Sequence, residues 1–490
     1  VVSERAGASA FRAFVGVVVA FAVLLAIPHL FMPLGRDALV VEVYARAVRE
    51  GNVRDYAWPA AASPGTVAMA CLANALSATP GRGARILSFV SIFALGAAAS
   101  LAFRVRADEA RKGPDLLGLA FGVLGASWFA SAFFDASISG RGEIPANAAF
   151  LAAIACVGAR RIRARAALGL GCAAVSFVAA FALAPKMAAL LPILAYVAVL
   201  RAGTRHAAAL VVASILGVLA VLGGCFLATG TFGTSSLGVS TTQTLPSAIA
   251  QLFFHFRPTG AVVAGLAVLV LALRRGEPAP ELRPAVGYVV ASFALGALPW
   301  AAGLSRLEGV VGAFAVLTAA SASLTVTTAS RRVFVPLATF GVAFLGFAAA
   351  ASNPATKSKG NHATGLYVRR LKDALATRAG TRTREAWLTS FSEPNDWFFP
   401  GEAEAIGRAI DARPHDGSLL VLSSTPEVYA ATRHRPAVRA FAEAPPREIP
   451  AAPPRWVVVR RGEDGRSEPP PGFATCAIFP HFELLEREKP

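Results

Sequence analysis

With 490 residues, 55% of them hydrophobic and only 16% charged, and with a mean hydropathy of +0.55, the chain is too apolar for a soluble globule of its length. Its net charge of +17 would suit a nucleic-acid binder, yet the arginines fall in short clusters between apolar runs, such as "RVRADEARK", "RRIRAR" and "RRGEPAPELR". That spacing sets membrane topology, so composition excludes both classes and predicts a polytopic α-helical membrane protein with a soluble C-terminal part.

In chain order, the basic start "VVSERAGASAFRAF" leads into the first apolar run, residues 11–31, and no A-x-A-like cleavage site closes it. It reads as a retained transmembrane helix. Ten further spans are expected at 85–103, 116–134, 146–159, 167–184, 187–200, 207–229, 261–273, 285–302, 308–328 and 333–351, eleven in all. With the N-terminus inside, the cytoplasmic loops carry the Lys and Arg clusters around 104–112, 160–165, 201–205, 274–283 and 331–332. The short loops of the other face hold only Arg141, Lys186, Arg257 and Arg306. This asymmetry places the segments 32–84, 135–145, 230–260 and everything after residue 351 on the outer side.

The first outer loop begins with "GRDALVVEVYARAVREGN". Glu42, Arg46, Arg49 and Glu50 form a polar stripe opposite Val40, Val43, Tyr44, Ala47 and Val48, which predicts an amphipathic helix lying on the bilayer surface and stopping at Gly51 and Asn52. Asp37 opens that helix. As an N-cap its carboxylate would satisfy free backbone N–H groups; as an acid at a membrane exit it could also do chemistry. A Ser63-Pro64 start then predicts a second short helix that ends at Pro80-Gly81.

Residues 352–490 are rich in Pro, Arg and Glu. "SLLVL", then "SSTPEVYAATRHRP" with Ser424 or Thr425 as cap and Pro426 at the first helical position, then "RWVVVRR", predict a small α/β domain. Asp396, Asp411, His415 and His434 show no metal or nucleophile spacing. Cys71, Cys156, Cys172, Cys225 and Cys476 are expected to be free, buried thiols.

The order of these features resembles the GT-C glycosyltransferases, integral membrane enzymes that use polyprenyl-phosphate-linked sugars, in the aminoarabinose, mannosyl and arabinofuranosyl branches. The resemblance rests on Asp37 before a "Y-A-x-x-x-x-x-G" helix (Tyr44, Ala45, Gly51), on Ser63-Pro64, and on "A-R-x-x-S" (Ala84, Arg85, Ser88). Glu143 in "SISGRGEIPANAAF" matches an acid of the second outer loop, and Lys186 matches a lysine at the outer turn of paired short helices.

The resemblance implies a sugar transferred from a polyprenyl-phosphate donor to a hydroxyl of a cell-envelope glycan, lipid or protein at the outer face of a bacterial-type inner (plasma) membrane. Asp37 would be the general base. Glu143 would position the acceptor or a cation, and Lys186, Arg85, Arg141, Arg257 and Arg306 are candidates to neutralise the leaving phosphate. Tyr44, Tyr56 and His255 are candidate substrate contacts. The first loop has a lone Asp, not an acidic pair, and the membrane half has no D-x-D, so no resident metal is read, with Mg or Mn kept open as a cofactor. The rival readings are a transporter or flippase of lipid-linked substrates, which would call for matched Gly or Pro breaks in two repeats, and a non-catalytic scaffold of the same fold.

Overall fold

The computed structural model describes residues 2–31, 33–59, 62–77, 81–102, 116–132, 142–158, 166–233, 284–291, 316, 372–392, 398–413, 417–422, 425–439, 441, 450, 453–461 and 470–488. Seven of the expected spans fall on helices there: α1 (Val2–Ala26), α4 (Arg82–Ala102), α5 (Leu116–Ala132), α6 (Glu143–Gly158), α7 (Ala166–Leu183), α8 (Leu191–Ala202, led in by the 3-10 turn Pro185–Leu190) and α9 (Thr204–Thr229). Among the described residues, three helical stretches are long and apolar enough to cross a membrane: 82–102, 185–202 and 204–229. Of the other expected spans, 285–302 is described only over a helical stretch to 291 and 308–328 only at Val316, while 261–273 and 333–351 lie outside the described residues.

These helices bury one continuous core that includes Ile92, Leu95, Phe150, Leu151, Phe177 and Leu194. Tyr288 stacks on Phe150 at 5.7 Å, and its hydroxyl donates to Asn147 Oδ1 at 2.7 Å, so a buried amide has a partner in apolar surroundings. Their outward faces carry Phe14, Val17, Val90, Val175, Leu216 and Leu227, an apolar exterior suited to lipid. At one end, Arg201 donates to the carbonyls of Ala102 and Ile154, joining the C-terminal turns of α4, α6 and α8. Glycines allow close crossings at the other. A Cβ on Gly83 would lie 1.9 Å from the Ala73 carbonyl oxygen, and one on Gly142 would lie 2.1 Å from that of Leu183. Gly83→Val is therefore expected to cost at least about 1–3 kcal/mol, read as a lower thermal midpoint in detergent; an unchanged midpoint would deny the close approach.

Toward the C-terminus, strands β1 (Ser418–Val421), β2 (Arg435–Pro436), β3 (Trp456–Arg460), β4 (Phe473–Ile478) and β5 (Phe482–Arg487) form one sheet in the order β2-β1-β3-β5-β4. β1 is parallel to β2 and β3, and β5 is antiparallel to β3 and β4, with Leu419 opposite Trp456 and Val458 opposite Leu484. The alternation of strand side chains separates two faces: Leu420, Val457, Val459, Phe473 and Leu485 pack on one, while Leu419, Val421, Trp456, Val458, Phe482 and Leu484 pack on the other. Helices α10 (Arg384–Thr389), α11 (Pro400–Asp411) and α12 (Pro426–Ala431) accompany the sheet. α12 starts as its sequence predicts, with Thr425 as N-cap and Pro426 in its first turn.

The thiols differ from expectation. All five cysteines are free, but Cys172 is exposed and the other four are only half-buried, three of these on helices and Cys476 on the edge strand β4.

Candidate functional site

The first loop forms helix α2 (Arg36–Arg49) and helix α3 (Pro64–Leu76). The N-cap of α2 is Gly35, without a side-chain cap bond, so Asp37 is the second residue inside the helix and not its cap. It is half-buried and lies in the positive field of the first turn, which favours a carboxylate. α3 is closed by a capping box: the Ser63 hydroxyl accepts from Thr66 N at 3.3 Å and the Thr66 hydroxyl accepts from Ser63 N at 2.8 Å.

The bilayer-surface reading of α2 is overturned. Val40, Val41, Val43, Tyr44, Ala45 and Ala47 share one buried cluster with Phe399, Ile406, Val428, Tyr429 and the inner face of the sheet. Half of the polar stripe, Glu42 and Arg46, is covered as well, while Arg49 and Glu50 are exposed. Glu42 is 6% exposed and its Oε1 accepts from Gly81 N at 2.9 Å. Arg46 donates to the carbonyl oxygens of Thr432 at 2.5 Å and Ala430 at 3.4 Å, at the end of α12. Glu50 pairs with Arg435 at 2.9 Å, and Ala57 N donates to Arg439 O at 2.9 Å. The apolar face of α2 and the Glu42 and Arg46 part of its polar stripe are thus covered, by the sheet-bearing part of the chain and by the turn at Gly81.

Burial raises the Glu42 carboxyl above its ordinary range, against the pull of the Gly81 N–H and of Arg46, Arg85 and Arg49. Glu427, in the first turn of α12, is 3% exposed and is pushed up to about 7 by burial, opposed by backbone N–H groups and by Arg36. Two buried acids therefore stand at this joint, Glu42 in the middle of α2 and Glu427 in the first turn of α12, and the sequence singled out neither for a catalytic or binding role.

Tyr44 is 1% exposed, edge-on to Trp58 with ring centroids 5.2 Å apart, and burial pushes its phenol up to about 12. Tyr56 packs edge-on to Phe441, and its hydroxyl donates to Pro436 O at 3.4 Å. Both rings are committed to the joint between loop and sheet.

The expected site residues gather in two groups, toward the two ends of α3. At one end, Ala73 meets Gly83, and here stand Glu42, Gly81 and the half-buried Arg85, with Asp37 a turn and a half earlier on α2. Glu404 and Arg384, paired at 2.7 Å, are among the charges that act on Arg85. At the other end, the Ser63 hydroxyl donates to Leu183 O at 2.8 Å, and Gly142 abuts Leu183 and Thr66. The chain around Glu143, first residue of α6, and the turn holding the half-buried Lys186 therefore meet at the start of α3. The ten residues from Ser63 to Ala73 span about 15 Å of helix. Arg141, Arg257, His255 and Arg306 lie outside the described residues. Among the described residues, no three His, Cys, Asp or Glu side chains gather as a metal ion would need.

No protein-family profile matches this chain, and no curated protein matches it significantly. Among solved structures, it is similar to ArnT from Cupriavidus metallidurans, a crystal structure with undecaprenyl phosphate bound. The TM-score is 0.60 and the identity 14%, over 96% of this chain and 98% of that one.

Proposed function

We propose that this chain, which has the GT-C glycosyltransferase fold, is a membrane enzyme that transfers a sugar from a polyprenyl-phosphate donor to an acceptor hydroxyl. The observation that carries the reading is the likeness of fold along nearly the whole of both chains, to a protein crystallised with undecaprenyl phosphate. The apolar helices support a membrane setting. On this reading residues 1–351 are the transferase domain and residues 352–490 an extracytoplasmic α/β domain, with the N-terminus in the cytoplasm.

In the reaction, the acceptor oxygen attacks the anomeric carbon while the bond from that carbon to the phosphate oxygen breaks. The electron pair leaves with the polyprenyl phosphate, and Asp37 takes the hydroxyl proton as general base. Arg85, at the Ala73 end of α3, and Lys186, at its Ser63 end, are alternative cationic posts for the growing phosphate charge. Glu143 positions the acceptor. Whether a divalent cation joins them is a question for chelation during the assay.

The test is incubation of the purified full chain with a panel of polyprenyl-phosphate-linked sugars and envelope lipid or glycan acceptors. Free polyprenyl phosphate and a glycosylated acceptor should form in equal amounts. Movement of intact donor across a vesicle membrane, with no bond broken, would instead establish the flippase.

A further inference from the structure

Glu42 makes a contact that its own helix does not require. It lies in the middle of α2, is 6% exposed, and one of its carboxylate oxygens accepts from Gly81 N at 2.9 Å. Gly81 is the residue before α4, and its carbonyl takes the first bond of that helix, from Arg85 N at 3.2 Å. In a capping box an acid at the third helical position accepts from the N–H of the cap. α4 has Ala84 at that place, and Glu42 supplies the bond from another helix. An apolar side chain would spare the cost of burying a carboxylate, but it would leave the Gly81 N–H without its acceptor.

The turn that Glu42 holds also carries Arg85. Gly81 has φ +71°, a left-handed conformation that favours glycine. A Cβ there would stand 3.0 Å from Leu34 Cδ1 and 3.8 Å from Arg85 Nη1, so the guanidinium folds back over the turn on the side of Gly81 where Leu34 packs. Leu34 is 3% exposed and precedes Gly35, the N-cap of α2, with Asp37 in the first turn that follows. The entry to α2, its middle through Glu42, and the start of α4 with Arg85 therefore meet at one glycine. Lys186 stands with the group at the other end of α3, about 15 Å of helix away.

We propose that Glu42 is a positioning residue: through the Gly81 N–H it locks the start of α4 onto α2, so that Arg85, and not Lys186, is the cation held in register with Asp37 and set to receive the donor phosphate. The roles given to Asp37 and Arg85 rest on the glycosyltransferase reading above. The lock between Glu42 and Gly81 does not.

Glu42→Gln and Glu42→Met on the full chain test it, read as kcat and KM with a polyprenyl-phosphate-linked sugar and as hydrogen exchange at the Gly81 amide. Gln keeps an oxygen within reach of Gly81 N–H and removes the charge; Met fills similar space and offers no oxygen. Glu42→Gln should retain most of the parent kcat and the protection of the amide. Glu42→Met should expose the amide and lower kcat by roughly tenfold to a hundredfold, with KM for the donor changed by less than about twofold, because a displaced cation fails the phosphate as its charge grows. In an Arg85→Gln background Glu42→Met should lower kcat by less than about twofold more, since Glu42 acts through Arg85. If Glu42→Met is recovered unfolded, Glu42→Asp, one methylene too short for the bond, takes its place. A Gln variant as slow as Met, additive losses with Arg85→Gln, or an exposed amide with unchanged kcat would each overturn the proposal. If the parent transfers no sugar from any donor, the glycosyltransferase reading fails and exchange alone decides: an amide protected in the parent and in Gln but exposed in Met upholds the lock, and equal protection in all three overturns it.

Discussion

Asp37→Asn should lower sugar transfer by about 10²- to 10⁴-fold, the range lost when a general base is removed. The amide has the shape of the carboxylate but cannot take up the acceptor proton as the hydroxyl attacks. One other contribution of Asp37 must be separated from that loss. Its charge sits in the first turn of α2, where it favours the helix by roughly 0.3–1 kcal/mol. Asn forfeits this, so the midpoint should drop slightly while the protein stays folded. Donor binding should change little, since the proton moves only as the bond breaks. Asp37→Glu keeps the base on a longer stem and should retain part of the rate. Full activity of the Asn variant, at equal protein level, would remove Asp37 from the chemistry and turn attention to Glu143.

Much of the helical half was legible because long apolar runs have one structural use in a chain this hydrophobic. The expected 85–103 and 207–229 differ from Arg82–Ala102 and Thr204–Thr229 by no more than three residues at either end. The strands β1 and β3 were legible for a related reason, being unbroken apolar runs, "SLLV" and "WVVVR". β4 and β5 were not. "FATCAI" lies at the sheet edge with exposed positions among its apolar ones, and "FELLER" mixes acids into a buried strand, so neither shows a clean period of two.

The misreading of α2 is the instructive one. An amphipathic pattern identifies a polar face but not what covers it, and water, lipid headgroups and another part of the chain all leave the same pattern. Here the cover comes from far along the chain: the Arg46 guanidinium meets a carbonyl 386 residues away. A stripe containing both Glu42 and Arg46, one turn apart, was compatible with burial, since charges that can pair with each other or with carbonyls need not face solvent. For Asp37 the sequence suggested a cap, and the backbone conformation puts the cap at Gly35, two residues earlier.

Glu42 carries the second large effect. Glu42→Ala should cost roughly 1–3 kcal/mol, because it leaves the Gly81 N–H without its buried acceptor. Glu42→Gln should cost less, since it retains the acceptor. The pH dependence has a definite sign. Burial raises the carboxyl in the folded chain, so over the carboxylate range the folded state binds more protons than the unfolded one, and stability falls as pH rises. Glu427 acts in the same direction: from its ordinary 4.5 it is pushed up to about 7, so its contribution is fully present below about 4.5 and is lost as pH climbs through about 7. Thermal midpoints of the parent, measured from pH 4 to pH 8 at constant ionic strength and corrected for the general trend by a surface-acid variant, should contain this decline. Glu42→Gln and Glu427→Gln should each remove part of it. A variant whose profile falls as steeply as that of the parent would mean that its acid is ionised in the fold throughout, with the cations around α2 outweighing burial.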